Sequence, residues 1–122
     1  MIEILKSFPD NVVAISCGGQ VTKEDYERIL VPAILKALNG HDKIRFLYEI
    51  SANFTGYDPG AIWEDMKIGL GYPTRWERAA VVTDVDWIVQ TMRIFGFLIS
   101  CPTKVFPPSE TAQAHAWIVA AS

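Results

Sequence analysis

The stretch Arg78-Ala79-Ala80-Val81-Val82-Thr83-Asp84 decides the fold of this 122-residue chain. Ala79 to Val82 carry no polar side chain, so both faces of a strand here must be covered, as in a parallel sheet with helices on either side. Asp84 and Asp86 follow at the start of a helix expected from about Val85 to Leu98, where carboxylates suit the positive end of the helix dipole. Upstream, Ile44 to Ile50 reads as a strand with Phe46, Tyr48 and Ile50 on one face and Arg45 and Glu49 on the other. Downstream, Thr103 to Phe106 is a short last strand. Pro107-Pro108-Ser109 then leads into a final helix, capped by Ser109 and running to about Ala120.

The amino-terminal part supplies the rest of the sheet. Ile2 to Lys6 partly alternates, Pro9-Asp10-Asn11 is a turn, and Val12 to Cys17 is apolar on both faces. These residues predict an antiparallel hairpin whose first strand lies at the edge. Thr22 to Leu38 reads as a helix: Thr22 caps it, Asp25 stands three residues on, Pro32 should kink it, and Asn39-Gly40 ends it. Asp58-Pro59 opens a second helix that runs to about Leu70 and stops at Gly71-Tyr72-Pro73. The order β-β-α-β-α-β-α-β-α predicts a single α/β domain over residues 1–122. It has a mostly parallel five-stranded sheet and four helices, with Val12–Cys17 and Ala79–Val82 interior.

Composition and motifs narrow the function. With 11 basic against 14 acidic residues and no Lys/Arg cluster, a nucleic-acid partner is not expected. No run of about 18 uncharged apolar residues exists, and Met1 to Lys6 does not open like a signal peptide. Cys17 and Cys101 lie outside any CxxC spacing and are expected as free thiols of a cytoplasmic protein. His41 and His115 have no ligand set around them, so neither a metal nor a cofactor is expected. Glu64 and Asp65 point about 100° apart on a helix. Cys17-Gly18-Gly19-Gln20 lacks both glycine-rich phosphate signatures, and no serine sits in a Gly-x-Ser-x-Gly elbow. Nothing here argues for an enzyme.

The third helix is the unusual element. At about 100° per residue, Trp87, Ile88, Val89, Met92, Ile94, Phe95, Leu98 and Ile99 cover an arc roughly twice the stripe that one sheet face hides. A neighbouring helix, a second subunit, an apolar ligand or a membrane surface must cover the remainder. The second helix gathers Ile62, Trp63, Met66 and Leu70 on one arc. The plain reading packs the two helices against each other and the sheet. The sharper reading has them flank a separable apolar pocket lined by Phe54, Trp63, Met66, Trp87, Ile88, Met92 and Phe95. Phe46 and Tyr48 form its floor, and Gly56, Gly69, Gly71 and Gly96 let the flanks adjust. The arc also makes a homodimer plausible.

Three stretches resemble a known family. Tyr57-Asp58-Pro59-Gly60-Ala61-Ile62-Trp63-Glu64-Asp65, then Arg78 to Asp84 with Trp87, then Ala114-His115-Ala116-Trp117-Ile118 are similar in words and order to SpoIIAA-like proteins. These are grouped with STAS domains and with CRAL-TRIO (Sec14-like) lipid carriers. The resemblance implies a STAS-like fold and no particular activity. In the anti-sigma-factor antagonists, a serine beside an aspartate after the third strand is phosphorylated. The matching region here, Glu49 to Gly56, lacks that pair and offers Ser51 and Thr55 as the phosphorylatable hydroxyls. The resemblance and the wide apolar arc together lead to the expected function. It is a non-enzymatic module that binds an apolar or lipid-like molecule, or touches a membrane peripherally, through its second and third helices. The alternative is a STAS-type regulatory module that docks a protein partner.

Overall fold

A computed structural model describes residues 1–58, 60, 75–86, 88 and 101–120. Strands β1 (Ile2–Ile4), β2 (Val12–Cys17), β4 (Ile44–Ile50), β6 (Trp76–Val82) and β7 (Thr103–Phe106) form one sheet in the order β1-β2-β4-β6-β7. The sheet is mixed: β1 runs antiparallel to β2, and each later neighbour pair is parallel. The turn at Pro9 closes through Val12 N–H donating to the Pro9 carbonyl at 3.0 Å. The two all-apolar runs, β2 and the end of β6, are interior, as their composition requires.

Three details depart from the sequence expectation. A second, two-stranded parallel sheet joins β3 (Gln20–Val21) to β5 (Gly56–Tyr57). Strand β6 starts at Trp76 rather than Ala79, because an irregularity in register after Ile44 and Trp76 lets Arg45 face Arg78. Glu77 is the extra residue of this bulge, and the side chains after it are re-aimed accordingly. The last helix, α3 (Thr111–Val119), follows a 3₁₀ turn over Pro108–Glu110, so Ser109 does not cap it. The Thr111 hydroxyl donates back to the Pro108 carbonyl at 2.7 Å instead.

The first helix begins as expected and then changes pitch. Asp25 N–H donates to Thr22 Oγ1 at 3.2 Å, and Thr22 N–H donates to Asp25 Oδ2 at 2.9 Å, a complete capping box. After α1 (Lys23–Asp25), residues Tyr26–Leu30 widen into a π-helical stretch before α2 (Val31–Gly40). Pro32 in the first turn of α2 explains the position of this change. It has no N–H to give the Arg28 carbonyl, so α-helical pairing cannot run through it. The second and third helices expected from sequence fall largely on residues outside those described.

The sheet buries both faces. On one, Tyr26, Leu30 and Ile34 of the first helix pack over Val13, Ile15, Tyr48 and Val81. On the other, Ala114 and Ile118 of α3 pack over Val12, Ala14, Leu47, Ala80 and Val82. Cys17 is buried, Cys101 is half-buried, and both are free thiols.

Candidate functional site

The strand alternation of β4 puts Ile44, Phe46, Tyr48 and Ile50 on the face shared with the first helix. Ile44 and Tyr48 are closed off at 0% and 6% exposure. Phe46, between them on the middle strand, stays half-buried. Its neighbours across the sheet are Val13 and the small Ala79, which cannot cover a phenyl ring. The Phe46 ring lies 5.6 Å from that of Tyr48 and meets Trp76 edge-on at 5.9 Å. The Tyr48 hydroxyl lies 3.2 Å from that of Tyr26. Trp76 is buried, and its indole Nε1 has no hydrogen-bond partner among the described residues. A buried donor without an acceptor costs free energy, so this ring is held there by its apolar surface.

Of the pocket residues expected from sequence, Phe46, Tyr48, Phe54 and Ile88 lie in one apolar cluster on this face. Trp63, Met66, Trp87, Met92 and Phe95 lie outside the described residues. Trp76 and Tyr26 belong to the same cluster and were not among the expected site residues. The signal for Trp76 was present, since an aromatic two residues before Arg78 extends the strand, but Glu77 and Arg78 masked it.

At the carboxyl ends of β2 and β4 two loops interlock. Ser51 Oγ donates to the Cys17 carbonyl at 2.9 Å and also bonds Asn53 Oδ1. Gly19 N–H donates to Asn53 O at 3.1 Å, and Thr55 N–H to Gly19 O at 2.8 Å. Gly18 suits this closeness: a Cβ there would lie 2.7 Å from Asn53 Oδ1 and 3.0 Å from Ser51 Oγ, so a side chain would have to give way. Gly19 has φ +56°, a left-handed conformation. The Gly-Gly pair therefore serves the turn. Of the two hydroxyls in the region, Ser51 is half-buried and bonded, while Thr55 is exposed.

The opposite face carries charge. Arg45 is only 8% exposed; its Nε donates to Glu77 Oε1 at 2.6 Å and its Nη1 to the Ile118 carbonyl at 2.9 Å. Arg78 Nη1 donates to the Trp117 carbonyl at 2.8 Å. Both guanidinium groups thus close the carboxyl end of α3, where carbonyls lack helical partners. His115 Nε2 lies 3.2 Å from Glu49 Oε1, and Phe8 packs edge-on against the imidazole at 5.1 Å. His41 is the residue that ends α2, and its carbonyl accepts from Arg75 Nη2 at 2.7 Å. Asp84 and Asp86 are exposed, and the Thr83 hydroxyl accepts the Val85 N–H at 3.1 Å. An open polar hollow of about 460 Å³ beside Thr22, Glu24, Arg28 and Asp58 includes the Arg28–Glu24 ion pair at 2.7 Å. Among the described residues no group of three or more His, Cys, Asp or Glu side chains could hold a metal ion. No helix among them is long and apolar enough to cross a membrane.

The sheet order, the parallel crossovers and the single antiparallel edge strand define a SpoIIAA-like α/β domain. The SpoIIAA-like family model matches residues 12–119, and the chain belongs to that family. The chain is similar to an uncharacterized protein of the DUF3478 family from Shewanella loihica PV-4, whose crystal structure has a SpoIIAA-like fold. The two share 26% identity over 97% of this chain and 92% of that one, with a TM-score of 0.73. No curated protein matches this chain.

Proposed function

We propose that this SpoIIAA-like domain is a non-enzymatic module that takes an apolar or amphipathic, lipid-like ligand, or a membrane surface, against the sheet face carrying Phe46. The observation that carries this reading is the half-burial of Phe46 in the middle strand, between Ile44 and Tyr48, which are closed off. Phe54, Val85, Cys101 and Val105 are likewise partly buried against the same cluster. A filled core would cover the centre of the sheet most completely. The unpartnered Trp76 Nε1 beside Phe46 supplies a donor for a carbonyl or ester oxygen of an amphipathic molecule. The resemblance quoted from the sequence, which implies a grouping with Sec14-like lipid carriers, points the same way.

The test is uptake of a naphthalene-sulfonate dye and of a medium-chain fatty ester, followed by tryptophan fluorescence. The wild-type chain should shift the dye to the blue and lose the signal when the ester competes. Phe46→Ser should weaken both responses. A wild-type chain that takes up neither probe, and whose tryptophan emission is unchanged by phosphatidylcholine/phosphatidylglycerol vesicles, overturns the reading.

A further inference from the structure

The half-buried residues of the Phe46 face form a strip with two unlike ends. Phe46, Ala79 and Thr103 stand side by side on β4, β6 and β7, and Val81 and Val105 form the next row towards the carboxyl ends. Ala79 is too small to fill the space between its neighbours, and Phe46, Thr103 and Val105 all stay half-buried. At the carboxyl end Val85 and Ile88 join the same apolar cluster. The two tyrosine hydroxyls there, of Tyr26 and Tyr48, lie within bonding distance of each other at 3.2 Å.

The amino end is different. Trp76 opens β6 at 7% exposure with an indole N–H that has no acceptor among the described residues. Beside it the chain enters β4 through Lys43, the residue before Ile44, which is the register partner of Trp76. The Lys43 charge is felt on this face: burial pushes the half-buried Cys101 thiol up, and the Thr103 hydrogen bond and the Lys43 ammonium offset only part of this. Lys43 is exposed and has no carboxylate partner among the described residues. The other cation at this end, Arg75, donates to the Leu38 and His41 carbonyls at 2.9 and 2.7 Å. Of the two acids nearby, Asp42 is exposed and Glu77 is paired with Arg45 on the opposite face.

An indole N–H and an ammonium both donate and neither accepts. A neutral carbonyl oxygen satisfies the indole but leaves the ammonium without a counter-charge. A carboxylate has an oxygen for each and makes a charge-assisted bond. From Trp76 to Val81 the strand runs about 16 Å, long enough to lay down the whole tail of a medium-chain acid.

We propose that the molecule taken by the Phe46 face is an aliphatic carboxylic acid, held as its carboxylate between Trp76 Nε1 and Lys43, with its tail across Ala79 towards Val85 and Ile88. This rests on the apolar-ligand reading above and adds the head group and the direction in which the ligand lies.

Calorimetric titration with decanoate, methyl decanoate and decanol at about pH 7.5, where the acid is ionised, tests it. The wild-type chain should bind decanoate at least about fivefold more tightly than the ester or the alcohol. Lys43→Gln, a surface change that should leave the melting temperature in place, should bring decanoate down to the affinity of the ester and leave the ester unchanged. Lys43→Arg should keep the preference for the acid. Acid and ester binding alike, or Lys43→Gln altering neither, overturns the carboxylate assignment while the apolar reading of the Phe46 face stands. Decanoate binding that ignores Phe46→Ser lies elsewhere on the protein and also overturns the proposal. A wild-type chain that takes up none of the three overturns both.

Discussion

Arg45 and Arg78 are register partners on adjacent parallel strands, and both donate to backbone carbonyls at the carboxyl end of the same helix, α3. Two like charges are tolerated side by side because Glu77 neutralises Arg45 at 2.6 Å and the helix end presents partial negative charge to both. The bulge in β6 makes this possible, since it shifts the register so that Arg78 stands opposite Arg45. The sequence thus ties its last helix to its middle strands by charge as well as by Ala114 and Ile118.

Replacing Arg45 should therefore cost more than a surface arginine does. Arg45→Ala removes bonds to Glu77 and Ile118 and leaves the Ile118 carbonyl buried. Glu77 is partly exposed and can turn to water, which discounts the buried-pair penalty. The expected loss is about 2–4 kcal/mol by urea unfolding, with Arg45→Lys recovering only part, because an ammonium cannot fork between a carboxylate and a carbonyl. A loss below about 0.5 kcal/mol would remove Arg45 from the account of how α3 is held.

The capping box at the first helix predicts a pH dependence. Burial pushes the Asp25 carboxyl up, but the Thr22 N–H and the nearby Met1 ammonium more than offset this and hold it below the ordinary carboxylate value of 3.8. A carboxyl depressed in the folded state contributes stability that is fully present above the unfolded value. That stability is lost as pH falls through the folded one. Stability should thus decline in acid from about pH 5 downward, and Asp25→Asn should flatten that decline. Equal acid sensitivity of the variant and the wild type would refute the assignment to Asp25.

Much of the sheet was legible because burial leaves a direct record in side-chain type. The all-apolar runs at Val12–Cys17 and Ala79–Val82 could only be interior, and the alternation in Ile44–Ile50 already separated Phe46 and Tyr48 from Arg45 and Glu49. The start of β6 was not legible, because Glu77 and Arg78 look like loop residues until Arg45 and the end of α3 are there to receive them. The same holds for Ser109: its place before a helix suits a cap, yet two prolines tighten the chain into a 3₁₀ turn first. The pairing of β3 with β5 is set by backbone contacts between loops, which no side-chain pattern announces. In the candidate site, Phe46 and Tyr48 could be placed on one face from strand alternation and Ile88 from helix periodicity, whereas Phe54 lies in the loop after β4, which has no periodicity. Trp76 and Tyr26 could not, because their roles arise from packing between elements distant in sequence.

The interlocked loops make a different prediction. Gly18→Ala would bring a Cβ to 2.7 Å from Asn53 Oδ1, the end of an exposed side chain that can swing aside. The cost is then the loss of the Ser51–Asn53 bond, about 1 kcal/mol, while Ser51→Ala, which also loses the bond to the Cys17 carbonyl, should cost roughly 2 kcal/mol. Combined, the two changes should cost less than their sum, since they remove one shared interaction. Full additivity in thermal unfolding would show that Asn53 does not link them.

The orphaned indole of Trp76 separates stability from binding. Trp76→Phe loses ring surface, which destabilises, and removes a buried donor with no acceptor, which stabilises. These terms oppose each other, so the empty protein should stay within about 1 kcal/mol of wild type. Phe46→Ala should also cost less than the 3–5 kcal/mol usual for a fully buried phenylalanine, about 1–2 kcal/mol, because its ring is already half-open. If an ester-bearing ligand uses the Nε1–H, Trp76→Phe should weaken its binding several-fold, by the worth of one hydrogen bond, while a pure alkane probe binds unchanged. A loss of 3 kcal/mol or more in the empty Trp76→Phe protein would mean that the indole is fully satisfied where it sits. The Phe46 face would then be filled core.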